Sequence, residues 1–247
     1  MDKLYYLDTA YFEREHWWYV ARRRILAHVL DQLDLPASSE ILEAGCGTGG
    51  NLSLLSHYGR LSAFEPEAIA RHMANGRGIV DVAEGALPGP IPFPAEHFDL
   101  VAILDVVEHV KEDVAALRAL REVLKPGGVL LITVPAYNFL WSNHDVINHH
   151  QRRYTAGSLK KAVKEAGLSV TYTTYFNTIL FPPVLAVRMY HKAVGKREGS
   201  DFAMPGPAVN RFLTGLFASE RWAMKGLSLP FGSSILMLAR RLKGNGD

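Results

Sequence analysis

The hydrophobic and polar positions of this chain follow two different periods along most of its 247 residues. Short apolar runs rich in Val, Ile and Leu predict buried strands, and apolar residues spaced three and four apart predict helices. Between residues 40 and 135 the two kinds of segment alternate, which is typical of a parallel sheet whose strands are connected by helices. The predicted strands are Glu40–Ala44, Leu61–Glu65, Ile79–Ala83, Phe98–Leu104, Val129–Val134, Ser169–Phe176 and Ser233–Ala239.

Helices are predicted before, between and after these strands. An apolar stripe from Val20 to Leu33 predicts one helix, and a proline shortly after it favours its end there. A second helix is predicted over Asp113–Leu124, before a Lys-Pro-Gly-Gly sequence. Thr155 has the position of an N-cap, and Gly167 is expected to end the helix that Thr155 begins.

A glycine-rich turn follows the first predicted strand. Gly45, Gly47 and Gly49 let the backbone turn sharply and approach a ligand closely. Glu43 precedes the first glycine, where its carboxylate would repel a diphosphate and suits a ligand with an ammonium group. Glu65 ends the second predicted strand, where an acid can hold a ribose diol. The pattern therefore predicts a nucleoside cofactor at the first crossover of the sheet.

The segment from Glu43 to Gly49 resembles motif I of the class I S-adenosylmethionine-dependent methyltransferases, and the likeness covers residues 38–135. The resemblance implies a methyltransferase that uses S-adenosyl-L-methionine. It also implies an α/β Rossmann-like fold, in which a seven-stranded, mainly parallel sheet has helices on both faces and an antiparallel last strand. The cofactor-binding residues that the resemblance implies are Glu43, Gly45, Cys46, Gly47, Gly49, Glu65, Gly85, Ala86, Leu87 and Asp105.

The long segment between the last two predicted strands is expected to be a helical insertion. Apolar helical patterns cover Leu185–Val194 and Ala208–Met224, and prolines lie around them. Near the N-terminus, Glu15–Tyr19 resembles the H-x-W-W segment of ubiquinone-pathway methyltransferases, so its tryptophans either cover the cofactor or belong to the core. We predict one domain with an N-terminal lid and helix (1–37), a cofactor-binding core (38–176), a helical cap inserted before the last strand (177–232) and that strand (233–247).

A second group of polar residues follows the fourth predicted strand. Asp105, Glu108 and His109 are spaced to converge on one side of a turn. Their D-x-x-E-H pattern resembles the E-x-x-E-H of ubiquinone-pathway O-methyltransferases and of small-RNA 2′-O-methyltransferases, which gather a divalent ion there. Those families add a histidine after the fifth strand, where this chain has His150. The resemblance implies one Mg²⁺ or Mn²⁺ on Asp105, Glu108, His109 and His150, lowering the pKa of an acceptor hydroxyl.

An alternative interpretation of this turn needs no metal. Many small-molecule methyltransferases carry D-x-x-E-H there without an ion, and Asp105 then contacts the cofactor amine. His109 or His150 would in that case be the catalytic general base. Our prediction is O-methylation of a small or lipid-linked acceptor. A metal-independent N- or O-methyltransferase with a histidine base, and an RNA methyltransferase, are the alternatives.

Composition and charge restrict the partners. The net charge of +2, without a long basic block, disfavours nucleic acid. Cys46 is the single cysteine, which excludes a disulfide framework and favours a cytoplasmic location. The apolar run Ile179–Val187 is too short to span a bilayer but is compatible with a peripheral membrane contact. The oligomeric state does not follow from the sequence.

Overall fold

One mixed β-sheet forms the centre of the protein in the computed structural model, which describes residues 3–193, 204–224 and 226–243. Its seven strands within these residues lie in the order β3-β2-β1-β4-β5-β7-β6. β7 is antiparallel to both of its neighbours and the other pairs are parallel, so the predicted α/β Rossmann-like fold is confirmed. The strands are β1 (Glu40–Ala44), β2 (Arg60–Phe64), β3 (Val82–Ala83), β4 (Phe98–Leu104), β5 (Leu124–Pro135), β6 (Leu168–Phe176) and β7 (Ser234–Arg241).

Helices cover both faces of this sheet, and the strands carry continuous apolar runs because both faces are buried. Two short 3₁₀ turns, Val107–His109 and Asn138–Leu140, follow β4 and β5. The helices are α1 (Lys3–Glu15), α2 (Trp17–Asp31), α3 (Leu52–Leu55), α4 (Ala68–Asn75), α5 (Asp113–Val123), α6 (Asn143–Ile147), α7 (Ala156–Glu165), α8 (Phe181–Ala193), α9 (Pro207–Ala218) and α10 (Glu220–Ala223).

Several boundaries differ from those that the sequence predicts. β3 shrinks to two residues because Ile79, the predicted start, is partly exposed and unpaired with β2. β5 begins earlier than predicted because Leu124 already pairs with Phe98, with a register shift before the regular ladder. Thr155 caps α7 as predicted, accepting a hydrogen bond from the backbone N–H of Ser158. The predicted end of the first insertion helix, Val194, lies outside the described residues.

Helices α8, α9 and α10 occupy the segment between β6 and β7 and are partly integrated into the core. Phe217 of α9 is fully buried, stacks on Phe176 at a ring distance of 6.2 Å and meets the edge of Trp17 at 6.0 Å. The carboxylate of Glu220 in α10 accepts a 2.8 Å hydrogen bond from the backbone N–H of Ile179, just before α8. No helix in the described part of the chain is long and apolar enough to cross a membrane.

A single asparagine connects α9 to the N-terminal helices. The side chain of Asn210 accepts a 2.8 Å hydrogen bond from the backbone N–H of Trp17 and donates one of 2.8 Å to the carbonyl of Glu15. These two bonds satisfy backbone groups at the junction of α1 and α2, where a helix start and a helix end meet. The insertion therefore fixes the position of the N-terminal helices.

We expect Asn210→Ala to lower the free energy of unfolding by about 1–3 kcal/mol, because two hydrogen bonds to backbone groups are lost. Urea unfolding monitored by circular dichroism measures the change. Arg211→Ala, at the exposed neighbouring position of the same helix, is the matched control and should change stability by less than about 0.5 kcal/mol. Equal losses in the two variants would show that the asparagine contacts contribute nothing specific.

Candidate active site

A cavity of about 640 Å³ lies at the carboxyl ends of β1, β4 and β5. The α1–α2 junction forms one wall with Trp17, and the glycine turn after β1 forms the floor with Gly47. The turn after β4 contributes His109, and α8 contributes Val184 on the opposite side. Ligands of open α/β sheets bind at this edge, because consecutive loops diverge there. The cavity therefore extends from the predicted cofactor loop to the inserted helices.

The glycine turn has the backbone conformation that its sequence predicts. Gly45, Gly47 and Gly49 have φ angles of 70°, 56° and 84°, in the left-handed region that a side chain disfavours. A Cβ placed on Gly47 would meet no protein atom within 4 Å, so the loop leaves open space on its ligand side. Cys46 between them is buried, and this burial raises the pKa of its thiol. The turn is therefore shaped to receive a ligand, and Cys46 fills space beneath it.

Glu43 is a buried acid without a full set of partners. Its side chain accepts a 3.1 Å hydrogen bond from Asn51, while Oε2 has no hydrogen-bond partner among the described residues. Burial raises the pKa of Glu43 to about 8. A buried carboxyl of this kind is stabilised as a carboxylate when a cation binds beside it. The contact of Glu43 with the ammonium group of S-adenosylmethionine stays a prediction, which the unpartnered Oε2 supports.

Glu65 follows β2 and is held by the backbone of two loops. Its carboxylate accepts hydrogen bonds from the backbone N–H groups of Gly47, at 2.8 Å, and Glu67, at 3.0 Å. Burial raises the pKa of Glu65 against the opposing effect of these two bonds. Glu65 and the segment 85–87 after β3 are not among the residues that line the cavity; they lie along the ends of β2 and β3.

Helix α1 closes over the cofactor loop through an acid that sequence reasoning missed. Glu13 accepts hydrogen bonds from the Thr48 hydroxyl, at 2.5 Å, and from Arg77, at 2.8 Å. A Cβ on Gly50 would lie 2.5 Å from the Glu13 carboxyl carbon, so a larger residue at this position would displace the Glu13 carboxylate from the loop. α1 has no apolar stripe, and nothing in its sequence pattern indicates that Glu13 contacts the loop.

Three of the predicted metal ligands come together beside this loop. One ligand atom from each of Glu108, His109 and His150 lies within 4.8 Å of the others. Both carboxylate oxygens of Glu108 are buried and lack a hydrogen-bond partner among the described residues. Burial, and then the charge of Asp105, raises the pKa of Glu108. Burial and His150 lower the pKa of His109 to about 4, which keeps this imidazole neutral at physiological pH.

His150 is oriented by a buried carboxylate. Its Nδ1 atom lies 2.8 Å from Oδ1 of Asp145, so Nε2 is the ring nitrogen left for another partner. Arg153 donates to both oxygens of Asp145, at 2.7 and 2.9 Å, and the backbone N–H of Ser142 adds a bond of 2.8 Å. Although burial opposes ionisation, these hydrogen bonds hold the pKa of Asp145 well below its usual range. The Ser142–Asp145 spacing signals a helix start, but no sequence signal shows that Asp145 orients His150.

Asp105 does not join the cluster of Glu108, His109 and His150. Its carboxylate is paired with Arg22 of α2 at 2.6 Å, and the same guanidinium nitrogen donates to the Thr133 hydroxyl of β5 at 2.8 Å. Arg22 is 4% exposed, and this pair fixes both side chains in the wall of the cavity. The sequence could not indicate this pairing, because Arg22 lies in a run of three arginines with the pattern of a solvated helix face.

The comparisons with known proteins agree with this geometry. Residues 17–173 match the family model described as "Methyltransferase domain". The chain therefore belongs to this methyltransferase family, and the predicted resemblance to the class I S-adenosylmethionine-dependent methyltransferases is confirmed.

Curated proteins named as methyltransferases match part of this chain. A "Probable S-adenosylmethionine-dependent methyltransferase" of Mycolicibacterium smegmatis is 30% identical over 141 residues, 56% of this chain and 54% of that protein. The ubiquinone/menaquinone biosynthesis C-methyltransferase UbiE of Shewanella oneidensis is 39% identical over 66 residues, 26% of each chain. The chain spans about half the length of the first of these relatives. Its match to the ubiquinone-pathway enzyme covers about a quarter of each chain, so that resemblance is partial.

Solved structures share the fold at low sequence identity. A chain of the complex between the Haloferax volcanii Trm112 methyltransferase activator and a methyltransferase has a TM-score of 0.63 at 16% identity, covering 99% of this chain and 97% of that chain. The geranyl diphosphate C-methyltransferase of Streptomyces coelicolor has a TM-score of 0.59 at 14% identity, covering 88% of this chain and 75% of that chain. These neighbours establish the architecture, and the chemistry must be argued from the residues of this chain.

We expect Glu65→Ala to weaken binding of S-adenosylhomocysteine by about 1.5–3 kcal/mol, the range for hydrogen bonds to a charged group. Isothermal titration calorimetry measures the change. Glu67→Ala is the matched control, because Glu67 contributes only its backbone N–H to the Glu65 contact. Unchanged affinity in Glu65→Ala would remove this residue from the cofactor site.

The raised pKa of Glu43, about 8, makes cofactor binding depend on pH. The unbound carboxyl is protonated below this pKa, and an ammonium ligand favours the carboxylate, so binding should release a proton. Affinity for S-adenosylhomocysteine should therefore increase between about pH 6 and pH 7.5, by at most about ten-fold per pH unit. Calorimetry in buffers of different ionisation enthalpy counts the proton. Glu43→Gln should bind more weakly and lose the pH dependence; a pH-independent wild-type affinity would contradict the assignment.

Proposed function

We propose that the protein transfers the methyl group of S-adenosylmethionine to an oxygen atom of a small or lipid-linked acceptor, assisted by one divalent cation. The observation that carries this proposal is the cluster of Glu108, His109 and His150, whose ligand atoms lie within 4.8 Å of one another. A buried carboxylate whose two oxygens lack partners among the described residues is costly unless a cation or a proton binds it. The donor set and its burial therefore fit a metal.

The surroundings of the two imidazoles also fit metal ligation. His150 has Asp145 as its partner through Nδ1, and His109 has a hydrogen bond with the backbone of Asn148. Metal-binding histidines usually make such a second contact, which fixes the ring orientation and the tautomer. Without Asp105 the cluster offers one carboxylate and two imidazoles. This donor set is softer than the predicted set, which would contain two carboxylates. We therefore favour Mn²⁺ over Mg²⁺.

In this proposal the side chains of the protein position the cofactor and the acceptor and stabilise their charges. S-adenosylmethionine brings a methyl group on a sulfonium leaving group, and a divalent ion would lower the pKa of an acceptor hydroxyl. Glu43 binds the ammonium end of the cofactor in this proposal, and Glu65 binds its ribose. The Arg22–Asp105 pair lines the same cavity as the cofactor loop and the Glu108 cluster. Alignment of the reacting atoms supplies most of the acceleration in such a transfer.

The cavity walls support a small or lipid-linked acceptor. The inserted segment contributes Leu180, Val184 and Leu213, and α1 contributes Tyr6 on the other side. We propose that α1 is a lid over the cofactor and that α8, α9 and α10 are a cap over the acceptor. An RNA strand would need an open basic surface, and the net charge of +2 does not favour one.

A metal-independent reaction is the second candidate, because one observation favours it. Asp145 and His150 form a buried carboxylate–imidazole pair at 2.8 Å, which could orient His150 as a general base. His109 suits this role less, since its pKa of about 4 makes it a weak base. Chelation separates the two candidates, because a histidine base does not need an ion.

We expect Mn²⁺ at a hundred times its dissociation constant to stabilise the fold by about 2.7 kcal/mol through mass action. Differential scanning fluorimetry with Mn²⁺, Mg²⁺ and Zn²⁺ measures this, beside calorimetry with the cofactor product. Glu108→Gln and His150→Ala should lose the Mn²⁺ response and keep the affinity for S-adenosylhomocysteine.

His149→Asn is the matched control, since this exposed neighbour has a φ of 55°, which asparagine tolerates. It should respond to Mn²⁺ like the wild type. Absence of a metal response in the wild-type protein, or methyl transfer that survives exhaustive chelation, would favour the histidine-base reaction instead.

A further inference from the structure

Helix α8 leaves most of its apolar surface uncovered. The structure describes the side chains of its residues 181–190, and none of these is buried. Val187 is 51% exposed, and Met189 and Tyr190 are each 63% exposed. A helix that is apolar around most of its circumference is normally buried or in contact with a membrane. Exposed apolar residues that cluster in this way mark an interaction surface.

Helix α9 adds a second exposed apolar stripe to the same insertion. Val209 and Phe212, three residues apart on one side of the helix, are 53% and 66% exposed. Arg211 between them is also exposed. We call the exposed apolar residues of these two helices that do not line the cavity, Met189, Tyr190, Val209 and Phe212, the cap face.

The insertion that carries the cap face is also more basic than the rest of the chain. Residues 177–232 contain seven Lys and Arg against three Asp and Glu, whereas the remainder contains twenty against twenty-two. One of the three acids, Glu220, is buried against the start of α8. One of these basic residues, Arg211, is exposed between Val209 and Phe212. A positive charge among exposed apolar side chains is complementary to a bilayer with anionic headgroups, to which both contribute affinity.

We propose that the cap face docks on the surface of a bilayer that contains anionic lipids. The thirteen residues of α8 are about 20 Å long, shorter than the ~30 Å hydrocarbon core, so this helix would lie in the interfacial plane. Apolar side chains would enter the headgroup boundary, and the basic side chains would contact the phosphates.

The cavity opens beside this docking surface. Val187 is half exposed and also lines the cavity, and its neighbours on the same helix, Pro183 and Val184, line it as well. A lipid-linked acceptor could therefore pass from the bilayer along α8 to the Glu108 cluster. This delivery step rests on the proposed function, whereas the docking itself does not.

Vesicle flotation tests the docking directly. The full-length protein, without cofactor or metal, is floated with phosphatidylcholine vesicles and with vesicles that also contain phosphatidylglycerol. We expect binding to the anionic vesicles that weakens with added salt, and at least a ten-fold loss in Met189→Glu. Leu242→Glu places the same charge at an equally exposed apolar residue just after β7, 66% exposed, and should float like the wild type.

Three results would overturn the proposal. These are no flotation with either vesicle, equal flotation of Met189→Glu and the wild type, and a concentration-dependent dimer in sedimentation velocity that Met189→Glu abolishes. The last result would assign the cap face to a second copy of the chain. The flotation assay contains neither cofactor nor metal. A negative flotation result would therefore not contradict the proposed methyl transfer, and an absence of methyl transfer would not contradict the docking.

Discussion

The arrangement of the site depends on one ion pair, between the buried Arg22 of α2 and the partly exposed Asp105 at the end of β4. The same guanidinium also reaches Thr133 of β5, so one side chain connects the N-terminal helices to two central strands. A buried charge that loses its partner is strongly destabilising, which constrains both side chains to this geometry. As a consequence Asp105 faces α2, and the Glu108 cluster is left with one carboxylate instead of two.

Three buried glutamates whose carboxylates a positive charge would stabilise are the main electrostatic feature of this cavity. Burial raises the pKa values of Glu13, Glu43 and Glu108 alike. Glu13 accepts a hydrogen bond from Arg77, whereas Glu43 and Glu108 have carboxylate oxygens without a hydrogen-bond partner among the described residues. In the proposed function, Glu43 is matched by the ammonium of the cofactor and Glu108 by a divalent ion. Burial destabilises the ionised form of these carboxyl groups, and a cationic ligand that binds beside them restores it.

The sequence predicts well the features that local pattern determines. Strand β4 has the bounds that its apolar run predicts, and the glycine turn has the expected left-handed backbone. The D-x-x-E-H spacing predicts that Glu108 and His109 share one turn, and the family resemblance adds His150. The three lie together because the turn follows β4 and His150 follows β5, its parallel neighbour in the sheet. The contacts that α1 and α2 make with the site do not follow from the sequence. Neither the Glu13 contact over the cofactor loop nor the pairing that removes Asp105 from the cluster leaves a periodic signal, since each depends on how α1 and α2 pack.

The central claim is that Glu108, His109 and His150 hold one divalent ion next to the cofactor. A crystal structure of the complex with S-adenosylhomocysteine and Mn²⁺, with data collected near the manganese absorption edge, tests it most directly. We predict one anomalous peak within ligand distance of Glu108 and both imidazoles, with Asp105 still paired to Arg22. A fully occupied cofactor site without such a peak, or with the three side chains pointing apart, would contradict the account.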